Sequence, residues 1–99
     1  MRVGKIRSEK IRQAARGEIC TLNGPTCRYD TETTVFCHLN ESFAGKGMGT
    51  KADDIAGFFG CHECHTAYDS GRLDDKHFYL LRAVIRTHRR LLEKGVIKL

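Results

Sequence analysis

The 99-residue chain has no tryptophan, a single proline and no long hydrophobic run. Its longest near-apolar stretch, Ile55 to Cys61, is interrupted by two glycines, whereas a membrane-spanning helix needs about 20 apolar residues. Met1 to Arg16 is charged throughout and lacks the apolar segment of about 7–15 residues that marks a secretory signal. These absences argue against a membrane protein and predict a cytoplasmic one. Acidic residues are scarce at both ends. Residues 1–16 carry six basic side chains against Glu9 alone, and residues 82–99 carry six against Glu93 alone. The middle, 17–81, holds five basic and ten acidic residues. The net charge of +5 therefore divides into two cationic ends around an acidic centre. That arrangement suits a polyanion binder carrying a metal site, and it equally suits two solvated helix faces.

Hydrophobic residues at 40% and charged residues at 29% fit one small folded domain over 1–99, too short to divide in two. Five cysteines in a reducing compartment point to metal or chemistry rather than disulfides. Ser8 opens a short basic helix that stops at Gly17, giving an N-terminal unit over 1–17. Thr33 to Leu39 reads as a strand, Asn40 to Asp54 as a loop with three glycines, and Ile55 to Gly60 as a second strand. A helix follows from His62 to Ser70 and ends at Gly71. Over 74–95 the pattern is a long amphipathic helix, with Asp74 and Asp75 at its start and Gly95 at its C-cap. Phe78, Leu81, Val84, Ile85, His88, Leu91 and Leu92 form its expected core side, and Arg82, Arg86, Arg89, Arg90 and Glu93 the other. The arginine stripe is a candidate nucleic-acid contact, as are Lys46 and Lys51 of the loop; solvated surfaces are the alternative in both places. The glycines beside Lys51 do not make a phosphate loop, because the order is Gly49-Thr50-Lys51 rather than Gly-Lys-Ser/Thr.

Cys61-His62-Glu63-Cys64 has the spacing at which two thiolates chelate one tetrahedral ion. Cys20 and Cys27 supply the other half across the Asn23-Gly24-Pro25 turn. Four thiolates would close the coordination sphere, so the zinc would be structural. A redox C-x2-C is the competing reading, and it expects a βαβ context that this sequence lacks. His65 and Asp69 lie four residues apart, on one side of a helix, and either grip a second divalent ion or are a helix-capping histidine and an ordinary surface aspartate. His38 ends the first strand and points away from Cys37 and Leu39, where it serves structure or takes a proton from water.

A hairpin carrying one histidine followed by a helix carrying metal ligands resembles the HNH, or ββα-metal, endonucleases. Ala14-Ala15-Arg16-Gly17, Cys20, Cys27, Glu32-Thr33, His38, Cys61-x2-Cys64-His65, Asp69 and Gly95-Val96-Ile97-Lys98 resemble the small YbcO-type nucleases of phages and prophages. The resemblance implies an α+β fold: one zinc-stapled ββα-metal domain, with the knuckle and core over 18–71 between flanking helices. It implies a metal-dependent endonuclease that hydrolyses DNA phosphodiester bonds in a bacterial host cytosol. His38 matches the general base, and His65 and Asp69 match the ligands of a catalytic Mg, Mn, Ni or Zn ion. Cys20, Cys27, Cys61 and Cys64 match the structural zinc. The ligand that often precedes the base is replaced by Cys37, and the asparagine of the motif by Asp53 or Asp54, either of which can brace the loop. The alternative function is a non-catalytic zinc-stabilised module that binds nucleic acid through the arginine stripe. A third is an assembly protein whose C-terminal helix docks on a partner. Oligomeric state is not legible.

Overall fold

The computed structural model describes residues 6–47 and 51–99 and is an α+β arrangement of one two-stranded sheet and three helices. Helix α1 (Glu9–Gln13) starts where the capping residue predicts, with Ser8 Oγ accepting from the Ile11 N–H; this satisfies one orphan donor of the first turn. Five residues are too few to hold a helix alone. Burial of Ile11, Ala14 and Ala15 against Phe59 and Leu91 secures the segment.

Strand β1 (Val35–His38) pairs antiparallel with β2 (Gly57–Gly60), Val35 opposite Gly60 and His38 opposite Gly57. Both are shorter than the runs expected from β-propensity. Side chains alternate across a strand, so Phe58 enters a core with Leu22, Leu39, Tyr68 and Leu80 while Phe59 enters another with Ile11 and Leu91. Every residue of β2 is buried. A strand covered on both faces reads as a continuous apolar run, which is how 55–60 stands in the sequence. Full burial of Phe58 and Phe59 contributes about 1.5–3 kcal/mol each.

Helix α2 (His62–Asp69) leaves β2 at once, and α3 (Lys76–Glu93) follows a short turn. Gly71 and Gly95 close these helices at φ +73° and +72°, and the next residue's N–H bonds back five positions, Arg72 to Ala67 O and Val96 to Leu91 O, both at 2.9 Å. This is the Schellman closure. Among the described residues no helix is long and apolar enough to cross a membrane.

The rotation of α3 departs from the sequence expectation. It buries Leu80, Ala83, Thr87 and Leu91, while Phe78, Leu81 and Ile85 remain 60%, 65% and 59% exposed. The cause is a buried polar triangle that a hydrophobic pattern cannot register. Thr87 Oγ1 lies 2.8 Å from Thr21 Oγ1, and both hydroxyls accept from the Phe59 N–H at 3.2 Å. Small side chains at 83 and 87 let the helix approach β2, and Phe78, Leu81 and Ile85 turn outward. His88, expected on the core side, is half-buried and donates from Nε2 to Ile55 O at 2.7 Å.

Candidate functional site

The four cysteines converge as their spacing predicts. Cys61 caps α2, Cys64 sits in its first turn, and the Cys20–Cys27 loop folds back at Asn23, whose φ is +48°. All four sulfurs lie within 4.8 Å of one another, with Cys27 Sγ and Cys61 Sγ 3.8 Å apart. Four sulfurs about 2.3 Å from a central zinc stand about 3.8 Å from each other, so the quartet fits that ion. The Cys64 thiol donates to Cys20, and backbone N–H groups of Cys61, Asn23 and Leu22 add to it; together they outweigh burial and hold Cys20 down to about 5. Cys64 is pushed up by the same contact. The result is a thiolate with a proton beside it for a metal to displace. Cys37 lies outside the quartet, in the core against Phe58, and burial pushes its thiol up.

His38 is held from behind. Its Nε2 is 2.7 Å from Asp54 Oδ1, and Asp54 is 1% exposed. A carboxylate only accepts, so Nε2 is the donor and, in the neutral ring, Nδ1 carries the lone pair. The other carboxylate oxygen accepts from the Ser8 N–H at 2.6 Å and from Arg12, and Arg7 Nη1 stands 3.5 Å from Oδ1. Burial raises the Asp54 carboxyl, yet the hydrogen bonds from His38, Ser8 and Arg12 bring it below the usual carboxylate range. The backbone of 6–8 is fastened to the same loop, Asp54 N–H donating to Ile6 O at 2.9 Å and Ile6 N–H to Asp53 Oδ1 at 3.2 Å. Beside His38, the Phe36 ring sits edge-on at 5.1 Å. Only glycine fits opposite His38, because a Cβ on Gly57 would come within 2.5 Å of that ring and 2.6 Å of Cys37 O.

His65 Nε2 and Asp69 Oδ2 are 2.9 Å apart on α2, both partly open to solvent. Two donors about 2.1 Å from one ion at right angles stand about 3 Å apart, so the pair fits a divalent metal. Among the described residues no third His, Cys, Asp or Glu converges on it. Asn40, two residues beyond His38, reaches this pair by donating from Nδ2 to Asp69 Oδ1 at 2.9 Å. Its backbone N–H donates to Tyr68 Oη at 2.7 Å, and Tyr68 O–H donates to Glu41 Oε2 at 2.8 Å. Lys76 Nζ donates to the same Glu41 oxygen at 3.2 Å. The end of β1 is thus tied to the end of α2. The sequence alone pairs neither Asn40 with Asp69 nor Asp54 with His38, since the partners lie 29 and 16 residues apart and no local signal specifies them.

The basic candidates divide sharply. Arg82 Nη2 donates to Leu22 O at 2.8 Å and Asn23 O at 3.2 Å, and Arg86 Nη1 donates to Asn23 Oδ1 at 2.9 Å. Arg90 Nε donates to Glu18 Oε1 at 2.7 Å. These three brace the cysteine loop and the N-terminal segment instead of forming one open stripe. Arg89 is exposed, with Glu93 at 3.8 Å. Lys46 and Lys51 are exposed on the loop, where Arg7 Nη2 donates to Lys51 O at 3.2 Å.

A model of the family described as "Putative nuclease YbcO" matches residues 9–96. The chain belongs to that family. The matched span contains the four clustered cysteines, His38, Asp54, His65 and Asp69, and all of α1 through α3. A solved structure of a "putative bacteriophage protein" from Escherichia coli str. K-12 substr. MG1655 is similar at 27% identity and a TM-score of 0.65, covering 87% of this chain and 100% of that one. No curated protein matches the chain.

Proposed function

We propose that the chain is a metal-dependent DNA endonuclease of HNH type, with a ββα-metal core formed by β1, β2 and α2. The observation that carries this reading is His38 at the end of β1, its Nε2 fixed 2.7 Å from the buried Asp54 carboxylate. In this reading His38 Nδ1 takes a proton from water, the water oxygen attacks phosphorus in line, and the leaving oxygen departs on the opposite side. Asp54 holds the ring in the tautomer that leaves Nδ1 free and stabilises the imidazolium once it forms. His65 and Asp69 would hold a divalent ion, with Asn40 orienting the Asp69 carboxylate. Such an ion, when bound, stabilises charge developing on the phosphate and on the leaving oxygen. The cysteine quartet would hold a structural zinc that fixes α2 against the loop over 20–27. Of the basic candidates, Lys46 and Lys51 are exposed and open to the DNA backbone.

The second reading, a non-catalytic module binding nucleic acid through Arg82, Arg86, Arg89 and Arg90, has less support, because three of those four arginines are engaged within the protein. Conversion of supercoiled plasmid to nicked and linear forms by the purified chain, with Mg, Mn, Ni or Zn, tests the choice. Metal-dependent conversion supports the nuclease, and binding without conversion under any of the four supports the module.

A further inference from the structure

The outward face of α3 is too apolar to be a solvated surface. Phe78, Leu81 and Ile85 repeat at intervals of three and four residues, and Leu92 continues the row one heptad beyond Ile85. On a helix this spacing makes one stripe, turned about 130° away from the buried Leu80–Thr87–Leu91 row. Phe78, Leu81 and Ile85 are each about 60% exposed and Leu92 37%. To one side of Leu81 lies a hollow of about 370 Å³ lined by Leu39, Phe43, His77, Leu80, Leu81 and Val84, with Phe43 itself 72% exposed. To the other lies a second hollow between Phe78, Leu81, Ile85 and the stems of Arg82 and Arg86.

The stripe is self-complementary in sequence. Reversed about a point between Leu81 and Arg82, it sets Phe78 of one helix against Ile85 of the other and brings the two Leu81 side chains together at the centre. Counted along the chain, the same reversal brings Asp74 level with Arg89 at both ends. Asp74 lies in the turn before α3 and, like Arg89, is exposed. The only ion pair Arg89 makes among the described residues is the 3.8 Å contact with Glu93, which is too open to hold it. A parallel pairing would instead set Asp74 against Asp74 and Arg89 against Arg89.

We infer that this face binds a second copy of the same chain, α3 packing antiparallel on α3 about a twofold axis at Leu81, with reciprocal Asp74–Arg89 pairs closing the ends. A twofold contact must be complementary to itself, and this stripe is, in the order of its apolar and charged residues. The hollows beside Leu81 would receive Phe78 and Phe43 of the opposite chain. The inference does not depend on the nuclease reading, since the helix face and its charges carry it whatever the chemistry of His38.

Sedimentation equilibrium of the full zinc-loaded chain tests it. The expected parent mass is twice 11.2 kDa. Leu81→Asp, at an exposed position, should keep the parent's circular dichroism and zinc content and raise the dimer dissociation constant about 30-fold or more, as loss of a central interface anchor does. Arg89→Asp alone should also weaken the dimer, and Asp74→Arg together with Arg89→Asp should restore it. A parent that stays monomeric up to its solubility limit overturns the inference. So does a dimer indifferent to Leu81→Asp, and a charge-swapped double variant no tighter than Arg89→Asp overturns the antiparallel register.

Discussion

His38 and Asp54 are 16 residues apart in the chain and 2.7 Å apart in the fold, the histidine at the end of β1 and the carboxylate buried just ahead of β2. What holds Asp54 there comes from the N-terminal segment, through the Ser8 N–H and Arg12. The N-terminal segment therefore buttresses the proposed catalytic histidine. Asp54→Asn keeps the shape but can donate as well as accept, so it no longer fixes the histidine tautomer. Cleavage should fall about 10–100-fold, the range for losing a group that orients a reacting one, while zinc content is unchanged. Plasmid cleavage rates beside elemental analysis check both halves.

The cysteines separate into four whose sulfurs cluster closely enough to hold a metal ion and one that packs in the core. Cys61→Ala should lose zinc and thermal stability together, because metal binding and folding are coupled at such sites. Cys37→Ala should keep one zinc per chain and lose only about 1 kcal/mol, the order expected for a small buried side chain. Zinc content and urea unfolding of the two variants measure the difference; equal zinc loss in both would mean that Cys37 is a ligand.

Acid should destabilise the protein through three carboxylates. Hydrogen bonding from Arg90 lowers Glu18; burial raises Glu41 and Asp54, but hydrogen bonds from Tyr68 and Lys76 on the one, and from His38, Ser8 and Arg12 on the other, bring both below their ordinary values. Unfolded values are about 3.9 for Asp and 4.3 for Glu, so the folded state holds fewer protons. Their stabilisation is complete above about pH 5 and disappears as pH falls through the unfolded values towards the folded ones. Urea midpoints measured from pH 6 to pH 3 should drop in that window. Asp54→Asn, which retains all four clustered cysteines, should drop less steeply, and an identical slope would remove Asp54 from the set.

Asp69→Ala should raise the divalent-metal concentration needed for half-maximal cleavage about 10–100-fold without altering zinc stoichiometry. Asn40→Ala should move it in the same direction by less, since it removes only an orienting hydrogen bond. Manganese binding followed by electron paramagnetic resonance reads both shifts without recourse to activity, and an unchanged titration in Asp69→Ala would take α2 out of the metal site.

The parts legible from the sequence are those set by local chemistry. Ser8 as a cap, Gly71 and Gly95 as helix ends, Asn23-Gly24-Pro25 as a fold-back and the C-x2-C spacing each act over a few residues, and the structure places the elements accordingly. On α3, periodicity ranks Phe78, Leu81 and Ile85 above Ala83 and Thr87 for the core, whereas the closeness of β2 and the Thr21–Thr87–Phe59 hydrogen bonds select the small residues for the inside. The arginines of α3 were read as one stripe because charge patterning carries no record of Glu18, Leu22 and Asn23 waiting across the fold. The sequence offers Asp53 or Asp54 as a brace for the loop, and the structure shows Asp54 bonded to His38. That it also braces His38 follows from the hairpin register and from the docking of residues 6–12, neither of which one sequence encodes locally.

The most direct measurement of the proposed chemistry is the single-turnover rate of plasmid nicking by the parent and by His38→Ala, each with one zinc per chain and matched DNA affinity. Loss of the general base should slow nicking about 100-fold or more at saturating metal, with fold and zinc intact. Equal rates would contradict the assignment of His38 and place the base elsewhere.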